Sequence, residues 1–347
     1  MAVRRRRSTA SLALTAALGV SAALLLSACG PDEVTAGGTP ASSAPAVPAT
    51  PAGGARPTAA GSAKPTASAP TSAALPAHGT GVPHLTLSNG GNLVLLDNAT
   101  VDFHTQVRDL AWSPDGSKAV FIDGHGNLVT SNPDGTGQHT LATNPGGQTW
   151  SHPAWKLELP SEAANVSSDN IVFTIEKGGH PDLYQVPADG APAAPAPLPL
   201  GVADPSLPQP QQHENTWANV AGTMGLLAYE NTADGQVYIR DDYLRLNTYK
   251  LTAGSEPAPS RDDKEVAFVR SVGGHDHLFA VDLATQALKD VDLTPNATTD
   301  YTEPSWSPDG KQLVARTPDG LVLLAADGSQ APHKVAGNLQ GLPAFRA

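Results

Sequence analysis

The sequence predicts an all-β repeat fold, and two observations carry that prediction. From about residue 82 onward, short runs of β-branched and aliphatic residues alternate with clusters of Gly, Pro, Asn and Asp. The pentapeptide Trp-Ser-Pro-Asp-Gly occurs at 112–116 and again at 306–310, each time between two apolar runs. A turn that returns at long range is typical of a repeat architecture, with one short β-unit in each repeat.

The pentapeptide has the chemistry of a turn between two antiparallel strands. Pro presets φ, Asp bonds back to its own backbone, and Gly accepts a positive φ. Turn chemistry therefore accounts for the residues from Pro to Gly, and the two Asp residues are expected to form turns rather than to act as acids. The residues to which we assign a structural role in the repeats are Trp112, Pro114, Asp115, Gly116, Trp155, Trp306, Pro308, Asp309 and Gly310.

Degenerate copies of the motif set the length of the repeat. Taking Trp112, Trp155, Asn219, Pro259 and Trp306 as equivalent gives steps of 43, 64, 40 and 47 residues. Three of these steps match the roughly 40–50 residues of a four-stranded propeller blade. The long step contains a Pro-rich insertion, 191–213, which the sequence leaves open as a lid or as a tolerated loop.

The two ends of the repeat region predict how the ring closes. Residues 84–98 resemble the second and third strands of a repeat but lack a first strand, and 343–345 match the first strand at 153–155. Pairing the two pieces completes a sixth blade and leaves neither strand edge bare. We therefore predict a closed six-bladed β-propeller of four-stranded blades, with the last residues as an innermost strand. The alternative is five blades with a frayed tail.

The Trp-Ser-Pro-Asp-Gly turn followed by an apolar strand resembles the WD40-like repeat of TolB-type β-propellers, which also occurs in the propellers of prolyl-oligopeptidase relatives. The resemblance covers roughly residues 82–347 and implies a propeller fold. TolB itself is a soluble periplasmic protein of the Tol–Pal system, with an α/β domain before its propeller. This chain has a different segment in that place, so the resemblance is carried over for the propeller alone.

The N-terminus predicts export and lipid attachment. Residues 1–28 have the layout of a secretory signal: basic residues at Arg4–Arg7, then an apolar run at Leu12–Leu26 that is short for a membrane span. Leu26-Ser27-Ala28-Cys29 resembles the lipobox of bacterial lipoproteins, in which the Cys is acylated and becomes the new N-terminus. The alternatives are an ordinary signal peptide with a chance Cys, or an uncleaved membrane helix. The general secretory and twin-arginine routes both remain open.

The segment 29–81 and the net charge define how the propeller would be held. The segment is rich in Pro, Ala, Ser, Thr and Gly, so it is predicted to be a disordered tether. Without the four arginines of the signal, 17 basic residues face 33 acidic ones, a net charge of −16. Such a surface disfavours nucleic acid and offers no basic patch to anionic lipid. Membrane attachment is therefore expected to come from the lipid on Cys29, the single Cys of the chain.

Histidines form the candidate ligand face. Three of them follow Gly-rich turns between the second and third strands of different repeats, and one end of the propeller would collect these with three more. The candidates are His125, His180, His275, His277, His152 and His213. Polar turn tips without a ligand are the plainer interpretation, and no metal ligand is assigned, since spacing alone cannot show that ligands converge.

The motifs that are missing from the sequence shape the functional hypothesis. It contains no G-x-S-x-G elbow, and no G-x-G-x-x-G or P-loop stands between a strand and a helix. We expect a lipid-anchored, extracytoplasmic, monomeric, non-enzymatic binding or scaffold protein of the cell envelope, without a cofactor and with a protein or glycan partner. The alternative is a metal-dependent sensor or enzyme with its site on the His-bearing face or in the central channel.

Overall fold

The computed structural model describes residues 74–76, 79–160, 167–202, 204, 206–222, 224–242, 247–285, 288–337 and 339–347. Their 24 strands form six four-stranded antiparallel sheets, the blades of a propeller, which confirms the predicted fold class. In these ranges no helix combines the length and the apolar character that crossing a membrane requires. The predicted signal peptide, Cys29 and most of the predicted tether lie outside the described residues.

The blades follow one another along the chain, and each is named here by its order. Blades I to III contain β1 (Leu85–Ser88), β2 (Leu93–Leu96), β3 (Ala99–Asp102), β4 (Arg108–Trp112), β5 (Ala119–Ile122), β6 (Leu128–Ser131), β7 (His139–Ala142), β8 (Thr149–Glu158), β9 (Ser168–Lys177), β10 (His180–Pro187) and β11 (Ala196–Pro197). Blades IV to VI contain β12 (Asn215–Ala221), β13 (Leu226–Asn231), β14 (Gln236–Asp241), β15 (Asn247–Ala253), β16 (Ser255–Pro259), β17 (Glu265–Val272), β18 (His275–Asp282), β19 (Asp290–Asp292), β20 (Thr302–Trp306), β21 (Gln312–Thr317), β22 (Gly320–Ala325) and β23 (His333–Ala336). The last strand, β24 (Ala344–Phe345), returns to blade I.

Blade I is completed by the C-terminus, as the two ends of the sequence predict. The strand order of this blade is β24-β1-β2-β3, so β24 takes the place of the missing innermost strand. Phe345 lies opposite Leu85, and the Arg346 N–H donates to the His84 carbonyl at 2.9 Å. Pairing covers the inner edge of β1, which would otherwise present unpaired backbone groups. Phe345 itself is half-buried.

The hydrophobic core is divided among the junctions between neighbouring blades. The described residues form six buried clusters, and each joins the facing sides of two adjacent blades. In β5 the side chain of Phe121 packs toward blade I, whereas Val120 and Ile122 pack toward blade III. The two-residue period of a strand produces this division, and it explains why the middle strands are apolar on both faces.

The Trp-Ser-Pro-Asp-Gly copies connect the first and second strands of blades II and VI. In blade II the Ser113 hydroxyl donates to Asp115 at 2.6 Å, and the Gly116 N–H donates to the Ser113 carbonyl at 2.8 Å. Blade VI repeats both bonds at 2.8 and 3.0 Å. Gly116 and Gly310 have φ values of 68° and 70°, where glycine avoids the Cβ penalty. Ser113, which is hydrogen-bonded to Asp115, holds the pKa of that carboxyl at about 2.

The structure corrects the phase of one repeat and explains the insertion. Strand registers show that Val220, rather than Asn219, is the equivalent of Trp112. Within the insertion, Ala196–Pro197 forms the fourth strand of blade III, and the buried Leu198 and Leu200 pack between blades III and IV. The first half of the insertion is therefore part of the blade framework.

Candidate functional site

The innermost strands of blades II to VI share one irregularity, a β-bulge at the same register position. In each case two residues of the inner strand interrupt its pairing with the second strand. The first residue of every bulge is not glycine, yet it has a positive φ of 50° to 53°. These five bulge residues are Asp109, His152, Trp217, Glu256 and Glu303.

The bulge residues lie at one mouth of the central channel. Asp109, His152 and Trp217 line a cavity of about 180 Å³, and Leu342, the equivalent residue before β24, completes that wall. Arg108, next to Asp109, pairs with Ile122, the last residue of β5. This mouth therefore lies at the same end of the propeller as the turns between second and third strands. A positive φ costs energy for any residue with a Cβ, and such residues cluster at functional sites.

Carboxylates of the bulge ring connect neighbouring blades. Asp109 accepts the N–H of His152 at 3.2 Å, which joins blade II to blade III. Glu256 accepts the N–H of Glu303 at 2.6 Å, and Glu230, on the second strand of blade IV, accepts the N–H of Glu256 at 2.6 Å. These bonds satisfy bulge N–H groups that lie outside the strand ladder. They also bring three glutamates close together.

The glutamates share an environment that favours their neutral form. Burial raises the pKa of Glu256 to about 7, and the charges of Glu303 and Glu230 add to that rise. Burial also raises the pKa values of Glu230 and Glu303. Arg316 donates to Glu303 at 2.5 Å and offsets part of its shift. A buried carboxyl group with one cation nearby is poised to gain from a second positive charge.

His152 supplies an open hydrogen-bonding position in this wall. Its ring lies over Trp217 with a centroid separation of 3.9 Å. Its Nδ1 is shielded from solvent and finds no partner among the described residues. Burial lowers the pKa of His152, against the opposing charge of Asp109, so the ring is neutral at physiological pH. A buried nitrogen without a partner is costly, and a ligand could satisfy it.

The six candidate histidines lie at several different places on the propeller. His125, His180 and His275 lie at the turns between second and third strands, in blades II, III and V. His180 and His213 both lie where blade III meets the start of blade IV: Nδ1 of His180 lies 2.5 Å from Glu214, and Nδ1 of His213 lies 3.2 Å from Asp182. The side chains of both histidines are exposed to solvent.

The other candidate histidines lie apart from that pair. His275 contacts Asp300 at 3.2 Å, while His277 is buried inside blade V with its Nδ1 2.9 Å from Asp292. His277 therefore does not project beside His275 from the turn. His152 belongs to the bulge ring. In the part of the chain that the structure describes, no three His, Cys, Asp or Glu side chains are grouped to hold a metal ion.

Sequence reasoning named His152 but missed the other four members of the bulge ring. A signal for them exists, since each bulge residue stands three positions before the residue equivalent to Trp112. That rule selects Asp109, Glu256 and Glu303 from the phased sequence. It fails at Trp217, because the phase in blade IV is one residue off.

The opposite mouth of the channel is crossed by an arginine. Arg261, in the first turn of blade V, donates to the Pro114 carbonyl of blade II, the blade on the far side of the ring. Nearby, Arg346 donates to the Gly116 carbonyl at 2.8 Å and lies over the ring of Trp112. The two mouths therefore differ: arginines bound to backbone carbonyls lie at one, and acidic and aromatic bulge residues surround the other.

Comparison with known proteins agrees with the fold. No protein-family profile and no curated protein sequence matches the chain. TolB from Acinetobacter baumannii has a similar structure, with a TM-score of 0.52 and 17% identity over 76% of this chain, which spans 65% of that protein's length. A putative TolB from Agrobacterium tumefaciens has a TM-score of 0.50 and 14% identity, and the match covers 70% of this chain and 86% of that protein. A chain of a nidogen/laminin complex has a TM-score of 0.51 and 12% identity, and the match covers 76% of this chain and 98% of that one. The described part of the chain therefore has the fold of a TolB-type β-propeller.

Proposed function

We propose that this chain is a non-enzymatic binding protein of the cell envelope, held on the extracytoplasmic side of the membrane by a lipid on Cys29. The observation that carries the binding role is the bulge ring, in which five equivalent residues surround one channel mouth in a backbone conformation that is unfavourable for side chains. The proposed location is supported by the sequence before Cys29, which has basic residues, then an apolar run, then small residues.

The channel mouth is suited to a protein partner that inserts a cationic side chain. Asp109, Glu230, Glu256 and Glu303 place four carboxyl groups at this mouth, and Arg316 is the cation that contacts Glu303. A lysine or arginine entering the mouth would favour the ionised form of Glu230, Glu256 and Glu303, whose pKa values burial raises. His152 adds an unpartnered nitrogen, and Trp217 adds an aromatic surface of the kind that anchors partners at interfaces.

The contacts of the carboxylates support binding rather than catalysis. Asp109 and Glu256 each accept a backbone N–H, and Glu303 pairs with Arg316, so these groups are used to fix positions. General acid–base chemistry would require a carboxyl directed at a reacting group. A chain of comparable fold occurs in a nidogen/laminin complex, an assembly of proteins.

Site-specific photocrosslinking in intact cells tests the channel mouth. A photoreactive amino acid in place of Trp217 should give one discrete protein adduct, and Asp109→Asn with Glu303→Gln should reduce its yield, because the charge attraction is lost. The same amino acid in place of Val291, on the exposed outermost strand of blade V, is the matched control. Equal adducts at both positions, or none at Trp217, would contradict a binding site at the mouth.

Fractionation of a Cys29→Ala variant separately tests membrane attachment through Cys29. The variant should lose incorporation of labelled fatty acid and leave the membrane fraction, because a lipid on that residue is the proposed anchor. A Ser27→Ala variant, which keeps the Cys, should stay with the membrane. Unchanged partitioning of Cys29→Ala would show that something other than a lipid on Cys29 retains the protein.

A further inference from the structure

The tryptophan that ends the inner strand of blade III behaves differently from its equivalents. Trp112 and Trp306 are buried, and each indole N–H donates to the preceding blade, to Thr86 at 3.1 Å and to the Ala258 carbonyl at 2.7 Å. Trp155 is only half-buried, and its indole N–H donates to Asp169 of its own blade at 2.7 Å. Trp155 therefore leaves part of its surface open.

Trp155 lines a groove between blades II and III. The groove encloses about 510 Å³ and lies outside the central channel, with Trp155 as part of the wall between them. Leu157 and Ala188 continue the apolar floor. A volume of several hundred cubic ångströms is that of a small-molecule site, and an aromatic floor is common in such sites.

The polar rim of the groove offers both acceptors and donors. Asp115, Asp169 and Asp189 are exposed carboxylates, and Lys118 and Ser117 face the same space. Burial raises the pKa of Asp169, and the charges of Asp189 and Asp115 add to that rise, which places the three carboxylates in one electrostatic environment. A purely cationic ligand would need acceptors alone, whereas a hydroxylated ligand uses both kinds of group.

The geometry points to a carbohydrate site in this groove, one that takes a sugar ring on the part of Trp155 that lines the groove and its hydroxyls on the aspartates and Lys118. A pyranose has an apolar face that packs on an indole and a rim of hydroxyls that donate and accept. This inference adds a ligand at a second place on the propeller. It stands apart from the protein partner proposed for the channel mouth, because Asp115, Asp169 and Asp189 line the groove and not that cavity.

Ligand-observed NMR with the full chain in detergent tests the inference. The probes are glucose, galactose, mannose, arabinose and N-acetylglucosamine, with the peptide tri-arginine as the cationic comparison. At least one sugar should bind, and Trp155→Ala should raise its Kd about tenfold or more, as expected for loss of an aromatic anchor. Asp189→Asn and Asp169→Asn should each raise it about threefold or more, since an amide keeps one acceptor.

Matched variants keep the test decisive. Trp306→Phe changes the equivalent residue of blade VI, away from the groove, and should leave sugar binding unchanged. Asp189 is exposed in a turn, so Asp189→Asn should fold even if Trp155→Ala does not. The inference is overturned if no sugar binds, if Trp306→Phe lowers binding as much as Trp155→Ala, or if tri-arginine alone binds and depends on Trp155. Loss of the channel-mouth adduct with sugar binding intact would overturn only the proposed function.

Discussion

The two mouths of the central channel are built from the same six blades but in opposite ways. One mouth consists of turns that repeat the same hydrogen bonds, from Ser113 to Asp115, from Ser260 to Asp262 and from Ser307 to Asp309. The other consists of bulges that repeat the same backbone but carry Asp, His, Trp and Glu side chains. Repeated residues therefore belong to the framework, and varied residues on a repeated backbone form the candidate binding site of this propeller.

The difference has a physical basis. A tight turn constrains its side chains, because Ser and Asp must bond back to the backbone and the last position must accept a positive φ. A bulge fixes only the backbone and directs one side chain into the channel, where its chemistry is free to vary. Repetition of sequence is thus expected at the turn mouth, and repetition of conformation alone at the bulge mouth.

Removing β24, the innermost strand that closes the ring, should have the largest effect on stability. Deletion of 341–347 removes β24, the pairing of Phe345 with Leu85 and the bond from Arg346 to Gly116. It also leaves Arg316 without one carbonyl partner, Gly341. We expect the free energy of unfolding to fall by about 3 kcal/mol, measured by urea denaturation, since a half-buried aromatic and a closing strand are lost.

Removal of Ala347 alone is the control for that deletion. This residue is exposed and lies beyond β24, so its loss should leave stability within about 0.5 kcal/mol of the unaltered chain. If the seven-residue deletion unfolds at the same urea concentration as the control, closure by β24 contributes nothing and the two mouths do not depend on it.

The same contrast explains how far the sequence predicts the structure. The blade count and the closing strand follow from repeated turns and from the match between 343–345 and 153–155, because both depend on local patterns. The bulge ring has no residue type in common, as Asp109, His152 and Trp217 show, so the sequence locates it only by counting back three positions from each phased turn, and that count misses Trp217. The burial of His277 was also beyond reach, because a partner on the next strand, Asp292, determines its surroundings.

At the bulge mouth, Glu256→Gln should make stability less dependent on pH. Because burial raises the pKa of Glu256 to about 7, the folded state holds a proton that the unfolded state releases above its ordinary value of 4.5. The contribution of Glu256 to the free energy of unfolding is therefore largest below pH 4.5 and falls as the pH rises toward 7. The amide cannot ionise and still accepts the Glu303 N–H, so at pH 8 the variant should be more stable by about 1–3 kcal/mol.

Urea denaturation at pH 4.5 and pH 8 measures that effect. The variant should match the unaltered chain at the lower pH and exceed it at the higher one. Glu176→Gln, on β9, is the matched control, because that residue is exposed and should show no such difference. A Glu256→Gln variant that loses stability at pH 8 would mean that the ionised carboxylate stabilises the ring, contrary to the burial argument.

At the turn mouth, Asp263 tests the rule that turns repeat their chemistry. The blade V turn has the hydrogen bonds of the other two, yet Asp263 stands where Gly116 and Gly310 stand and has a φ of 58°. Burial raises its pKa to about 7, and its Oδ1 is shielded without a partner in the described residues. Asp263→Gly should therefore stabilise the protein, by about 2 kcal/mol at pH 8.

The reverse exchange, Gly310→Asp, separates the two causes. A Cβ at Gly310 would meet open space, so an aspartate there would bear the backbone strain but keep its carboxylate in water. It should cost about 1 kcal/mol at every pH. The stabilisation by Asp263→Gly should instead shrink toward about 1 kcal/mol at pH 4. The reason is that the raised pKa of Asp263 destabilises the folded state only as the pH rises from 3.8 toward 7. Equal and pH-independent effects of the two substitutions would show that strain alone, and no buried charge, distinguishes the turn of blade V.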